Sequence, residues 1–234
     1  MLQSEYLART QRLLQNPPAL SSLYATSDLY DYINQGRDVV AAETECVRAV
    51  GTLPAAQGVG VFSFSSITLS GSGYEEPLSI RQIWVSLGSG RTPMYARPFP
   101  WFSQYSLGAI VQDTGIPKNW AQQGQGADGT LYVYPIPDWT RNLILDLTAV
   151  PADLTSDASV DVIPDLFTLA VPYYAAYLAY LSAQRPDDAG NMFQKYRDHS
   201  GIARASANGY VLPYQGAQPS DPAAAGRFPK QTGG

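Results

Sequence analysis

Hydrophobic and polar positions change their spacing three times along the chain, and each change marks a change of structure. Residues 2–15 read as a helix. Residues 28–50, DLYDYINQGRDVVAAETECVRAV, predict a longer one. Spacings of three and four bring Tyr32, Ile33, Val39, Val40, Val47 and Val50 onto its apolar side, with Ser27 as N-cap. Asp38, Glu43 and Glu45 fall on the expected solvent side, Cys46 lies inside the helix as a small hydrophobe, and Gly36 is a weak point. From Gly51 the texture turns to that of strands. GVGVFSFSSITL (58–69), LSIRQIWVSL (78–87), TLYVYPIP (130–137) and NLILDLTAV (142–150) favour β residues bounded by Gly, Pro, Asp or Asn. Leu143, Leu145 and Leu147 alternate with Ile144, Asp146 and Thr148, and the last two runs are expected to pair as a hairpin around DWTR.

Helical spacing returns after Pro164. The segment VIPDLFTLAVPYYAAYLAYLSAQ (162–184) has no charge between Asp165 and Arg185, and a run of about 20 apolar residues is long enough to raise the question of a membrane crossing. Its content argues against one. Tyr173, Tyr174, Tyr177 and Tyr180 cluster within the run instead of at its ends, Pro172 interrupts it, and no Lys or Arg cluster sets an orientation. The run predicts a helix at the centre of a bundle or at a contact between subunits. Leu166, Leu169, Ala170, Tyr173, Tyr177, Leu181 and Gln184 recur on one face, and Ala175, Ala176 and Ala179 make the remaining face small. The interface candidates are Leu166, Leu169, Tyr173, Tyr177, Tyr180 and Leu181. A last helix spans 186–207, with Pro186, Asp187 and Asp188 suited to its first turn. From Asn208 the chain is rich in Gly, Pro and Ala, has no period and cannot hold a core of its own.

The expected fold is α+β. N- and C-terminal helices (1–51 and 162–207) form a helical bundle, a sandwich or barrel-like β block (52–151) is inserted between them, and 208–234 is an extended tail. Charged residues make up 15% and the net charge is −5, unlike a chain that wraps nucleic acid. One Cys excludes an internal disulfide framework, and the first residues, MLQSEYLART, lack the pattern of a signal peptide, so the protein is expected in a cytoplasm until assembly.

Candidate chemistry is sparse. GQGADG matches GxGxxG at Gly124, Gly126 and Gly129, yet KNWAQQ precedes it and the strand TLYVYP follows, so a turn is the better reading than a dinucleotide site. Cys46 and His199 are too few for a metal site, and His199 is placed near a helix C-terminus, where the dipole favours a cationic imidazole. Glu75 and Glu76 precede Pro77 in a Gly/Ser loop and face solvent in this reading. Neither an enzyme nor a cofactor is expected. Aromatic residues reach 12%, and YARPFPWFSQY (95–105), PKNW (117–120) and PIPDW (135–139) place some in irregular segments, which offers a surplus for protein contacts or, in a second reading, for a carbohydrate-binding or tail-surface β module.

The order of these features resembles the head-to-tail adaptor proteins of tailed bacteriophages. The likeness covers roughly residues 25–205 and rests on LYDYINQGRDVVAAETECVRAVGTLP leading into a strand, on GIPKNWAQQ followed by GTLYVYPIPD, and on the closing helix pair VIPDLFTLAVPYYAAYLAYLSAQRPDDAGNMFQKYRDH. The resemblance implies a virion protein whose subunits form a ring, commonly of twelve. Such a ring docks on the portal protein, meets a tail or nozzle protein, and continues a DNA channel without sequence-specific binding. It further implies that the C-terminal extension reaches the portal, with Tyr210, Leu212, Tyr214, Arg227 and Phe228 as docking candidates.

Overall fold

In the computed structural model, which describes residues 1–15, 23–88, 90–105 and 113–208, α1 (Gln3–Leu13) and α2 (Thr26–Thr44) open the chain. The second helix stops earlier than its apolar spacing predicts. Glu45 takes a left-handed conformation (φ 52°), and Arg48–Ala55 forms strand β1, in which buried Ala49 and Leu53 alternate with exposed Arg48, Val50 and Pro54. Val47 and Val50 therefore do not share a helix side: Val47 is buried beside the sheet and Val50 is exposed. The pairing of β1 along a long neighbouring strand outweighs helix propensity here. Cys46 lies in the connection, half-buried, where burial raises its thiol pKa. The N-cap is Ala25 and not Ser27, because the helix begins two residues before the expected start and takes Ser27 into its first turn.

The strands that follow are β2 (Val61–Ser63), β3 (Thr68–Ser70), β4 (Tyr74–Leu87), β5 (Gly90–Pro93) and β6 (Tyr95–Ala96). After α3 (Phe99–Tyr105) come β7 (Thr114–Gly115), β8 (Asn119–Gln123), β9 (Thr130–Tyr134), β10 (Ile136–Pro137) and β11 (Arg141–Pro151). They form a five-stranded sheet in the order β3-β1-β11-β4-β5, a four-stranded sheet β2-β9-β8-β6 and the pair β10-β7; none of these closes into a barrel.

The expected hairpin around DWTR is not formed. β11 runs antiparallel to β1 and β4, whereas β9 pairs with β2 and β8 in the other sheet. Pro135 and Pro137 have no N–H to carry a ladder out of β9, and β11, whose Leu143, Leu145 and Leu147 side chains are all 0% exposed, sits centrally with both edges taken by β1 and β4. PKNW, expected to be irregular, instead runs into β8 at Asn119 and Trp120, and GQGADG is the turn between β8 and β9, with Gly124 at φ 77° and Gly126 at φ 65°. That strand–turn–strand context excludes a dinucleotide loop. Gly129 serves packing: a Cβ there would come within 2.5 Å of the Phe64 ring.

The apolar segment after Pro164 is not one helix. It splits into α4 (Asp165–Thr168) and α5 (Ala170–Ser182) at Leu169, which leaves Pro172 in the first turn of α5, where its missing N–H has no intrahelical role. The last helix is α6 (Pro186–Asn208). No helix among the described residues is long and apolar enough to cross a membrane.

Helix α5 packs against α1, α2 and α6, and α2 packs against β11. Gly36 is the reason α2 and α5 approach so closely: a Cβ at that position would stand 3.2 Å from the Val171 carbonyl oxygen. Buried Ile33, Val40, Val171 and Ala175 belong to the same core as Leu143, Leu145, Trp120 and Leu131, so the apolar interior is continuous from helices to both sheets. A polar clasp fixes the segment between β11 and α4. Buried Arg37 donates to the Ala152 carbonyl (2.8 Å) and to Asp161, which also accepts from the Tyr6 hydroxyl at 2.8 Å.

Candidate assembly surface

The candidate residues of the apolar segment divide between interior and surface. Tyr180 is buried and donates to the Leu13 carbonyl at 3.2 Å, tying α5 to α1. Tyr177 is half-buried, 5.0 Å from the Phe193 ring of α6, and Tyr174 meets Tyr196 at 5.1 Å. Leu166, Leu169 and Leu181 are 49%, 46% and 44% exposed. The face that packs inside the subunit is the small one, with Ala170, Ala175, Ala176 and Ala179 all at 1% exposure or less. Small side chains allow three helices to approach α5 at short range, which is the physical reason that alanines lie inside while leucines lie outside.

Half-buried Tyr173 connects this exposed flank to α6. Its ring stacks on His199 (4.8 Å between centroids, 13° between planes), and His199 lies well inside α6, nine residues before its end, so the helix dipole does not account for it. Leu169 stands one helical turn before Tyr173, and Ile202, 64% exposed, one turn after His199. Leu166, Leu169, Tyr173, His199 and Ile202 thus form an apolar flank without cover among the described residues. Ile202 was not expected from the sequence; its one signal is a large aliphatic residue within the small and polar run SGIARASA.

The opposite edge of α6 is basic. Arg197, Ser200, Gly201 and Arg204 of α6 and Glu43 and Thr44 of α2 line a shallow notch of about 190 Å³. Neither guanidinium has a carboxylate within 4.0 Å among the described residues. Glu43 accepts from the Tyr196 hydroxyl at 2.6 Å, and burial followed by that bond raises the tyrosine pKa.

A different flank of α2 is acidic. Asp31 is exposed, and Asp38 is only partly so. Burial, and then the charges of Asp153, Glu75 and Glu76, push Asp38 up to about 6. Asp38, Glu43 and Glu45 consequently do not form one solvent face: Asp38 joins the acidic group, Glu43 faces α6, and Glu45 pairs with Arg81 at 2.9 Å. Among the described residues no group of three or more His, Cys, Asp or Glu is placed to hold a metal ion. The exposed aromatic of the β region is Trp139, 51% exposed with the Arg141 guanidinium 3.8 Å from its ring centre. Tyr210, Leu212, Tyr214, Arg227 and Phe228 lie outside the described residues.

No curated protein matches the chain. Among solved structures, the neck of an empty GTA particle computed with C6 symmetry is similar over 75% of this chain and 76% of its own, at 14% identity and a TM-score of 0.28, too distant an overlay to carry anything across. The family model described as SU10 adaptor protein matches residues 1–216, from α1 through both sheets and past the end of α6, and the chain belongs to that family of head-to-tail adaptor proteins.

Proposed function

We propose that this structural virion protein assembles into a ring, of twelve subunits as the family resemblance implies, that docks on a portal protein and joins it to a tail or nozzle protein. The observation that carries this reading is the uncovered apolar flank of Leu166, Leu169, Tyr173 and Ile202. The described residues pack without covering it, since the alanine face of α5 supplies much of the packing between helices. A contiguous apolar flank of this kind on a helical layer is a protein contact. In the ring, helices α4 to α6 and the N-terminal pair form the helical bundle, and the β block projects from it. The channel passes DNA without sequence-specific contacts, in keeping with a net charge of −5.

Residues 208–234 are the portal anchor in this reading. Tyr210, Leu212, Tyr214 and Phe228 are scattered apolar anchors on a Pro- and Gly-rich chain, with Arg227 beside the last of them. Each contact is weak alone, and repetition around a ring multiplies them through effective concentration. Mass measurement of the purified protein, alone and with portal, tests the ring: a multimer supports it, and a monomer under both conditions overturns it. Truncation after Ala207 tests the anchor. A folded protein that no longer binds portal supports docking, and undiminished binding refutes it.

The second reading, a carbohydrate-binding or tail-surface β module, has one observation in its favour, exposed Trp139. Loss of glycan binding by Trp139→Ala, in a protein that stays monomeric with portal, would favour it.

A further inference from the structure

Resting on the ring reading, the structure points to a charged contact between neighbouring subunits, separate from the apolar flank. We infer that the Arg197 and Arg204 notch of one copy receives the acidic flank of the next copy's α2, formed by Asp31, Asp38 and Asp153 with Glu75 and Glu76 beside them.

Three observations carry this. The first is charge. Neither arginine of the notch has a carboxylate partner, and none of the five acidic groups has a cationic one within 4.0 Å among the described residues. The crowding of those carboxylates is already visible in Asp38, whose ionised form burial and Asp153, Glu75 and Glu76 all disfavour. A cation brought from outside relieves that repulsion, whereas the buried Arg37 nearby is already held by Ala152 and Asp161.

The second is direction. Gly36 marks the flank of α2 that packs on α5, because its Cα faces Val171 and Tyr174. At 100° per residue, Asp31 and Asp38 lie on the flank of α2 turned away from that contact. On α6, Arg197 and Arg204 share the stripe of Phe193, which faces α5, and the notch they line is completed by Glu43 and Thr44 of α2 at the seam between α2 and α6. Glu43, which lines the notch, lies within about 20° of Gly36 around α2, so the notch and the acidic flank open on opposite sides of that helix. Within one copy they cannot meet. Complementary patches on opposite sides are what a heterologous head-to-tail contact requires, and repetition of such a contact closes a ring.

The third is room. A Cβ at Gly201 would have nothing within 4 Å, and the same is true of Gly190, eleven residues earlier on the same face of α6. Glycine within a helix costs about 1 kcal/mol relative to alanine, and no close approach inside the subunit requires it at either position. Both glycines leave the floor of the notch and its approach open to a neighbouring chain.

The test is charge reversal with restoration. All four positions, Arg197, Arg204, Asp31 and Asp153, are exposed, so their reversal leaves the subunit folded, which the thermal unfolding of each purified variant checks. Arg197→Glu with Arg204→Glu is expected to raise the concentration for half-assembly at least about tenfold. Asp31→Lys with Asp153→Lys is expected to do the same, and combining all four changes should restore assembly. Raised salt should weaken the wild-type ring and affect neither reversed pair further. A wild-type ring that the arginine reversals leave unchanged overturns this pairing and leaves the adaptor reading standing. Losses that the combined variant does not restore also overturn it, by showing that the arginines meet another partner. A chain that forms no ring alone or with portal overturns both.

Discussion

Strand β11 and helix α5 are both strongly apolar segments of the fold, and they are covered in different ways. β11 is enclosed by its own chain: β1 and β4 take its two edges, and Leu143, Leu145 and Leu147 are all 0% exposed. α5 is enclosed on its alanine side by α1, α2 and α6, yet Leu169 just before it and Leu181 near its end are each close to half exposed. Apolar content therefore has two uses here. In β11 it holds the subunit together, and at the two ends of α5 part of it stays exposed among the described residues. The difference is sharpest in side-chain size. The large residues of β11 face in, whereas α5 packs mainly alanines inward, with Val171 and Tyr180, and leaves Leu181 outside.

Truncating the enclosed strand should cost the subunit most. Leu145→Ala removes a fully buried side chain between two partner strands, and its cavity has few mobile neighbours to collapse into it. A loss of about 3 kcal/mol in urea unfolding is expected. A loss under about 1 kcal/mol would show that the sheet repacks easily and that β11 is not the rigid centre described.

Next in size is the close approach of α2 to α5. Gly36→Val places a branched side chain 3.2 Å from a backbone oxygen that cannot rotate away, and overpacking of this kind costs about 2 kcal/mol. Thermal unfolding measures it. An unchanged or raised melting temperature would mean that α2 can retreat from α5, and that the alanine face is looser than its burial indicates.

These regions also differ in how far they could be read from the sequence. β11 was legible because an alternation of period two offers one choice of face, and Leu143, Leu145 and Leu147 point inward as that alternation requires. Its partners were not legible, since β1 and β4 lie more than fifty residues earlier in the chain and the nearer strand β9 was the natural guess. In the apolar segment after Pro164 the helical content was legible and the break at Leu169 was not. A helix apolar nearly all round has no moment to orient it, and the spacing that picked Leu166, Leu169 and Leu181 picked residues that the subunit leaves exposed. The end of α2 failed for a related reason: Val47 and Val50 fit a helix face at spacing three, and only the approach of β11 draws Val47 out of the helix and Val50 into β1. The notch was hidden because Arg197 and Arg204 belong to one helix and Glu43 and Thr44 to another, more than 150 residues away.

A smaller effect is expected from the acidic flank. Asp38 titrates near 6 in the folded subunit, above the ordinary carboxylate value of 3.8, because burial and neighbouring acids disfavour its charge. The folded state therefore binds this proton more tightly than the unfolded state. Stability falls as pH rises from about 4 to about 6 and carries the full penalty above that window. Asp38→Asn removes the penalty. After discounting for solvent screening, an isolated subunit should gain about 1 kcal/mol at pH 7.5 and nothing at pH 4. An equal gain at both pH values would show that the effect is not electrostatic.

The smallest expected change in subunit stability comes from the exposed flank itself, and it bears most directly on the comparison. Leu169→Ser with Ile202→Ser removes two large side chains that are 46% and 64% exposed, so their transfer from water during folding of the single chain is slight. Urea unfolding of the isolated subunit should move by no more than about 0.5 kcal/mol, against about 3 kcal/mol for the leucine of β11. Assembly should respond in the opposite order, because these are the side chains that another copy would desolvate. If the double variant unfolds as easily as Leu145→Ala, the flank is covered within its own chain and the leftover surface of α5 does not exist. If it unfolds like the wild type and still assembles like it, the flank is exposed but idle, and the contact between subunits lies elsewhere on the helical layer.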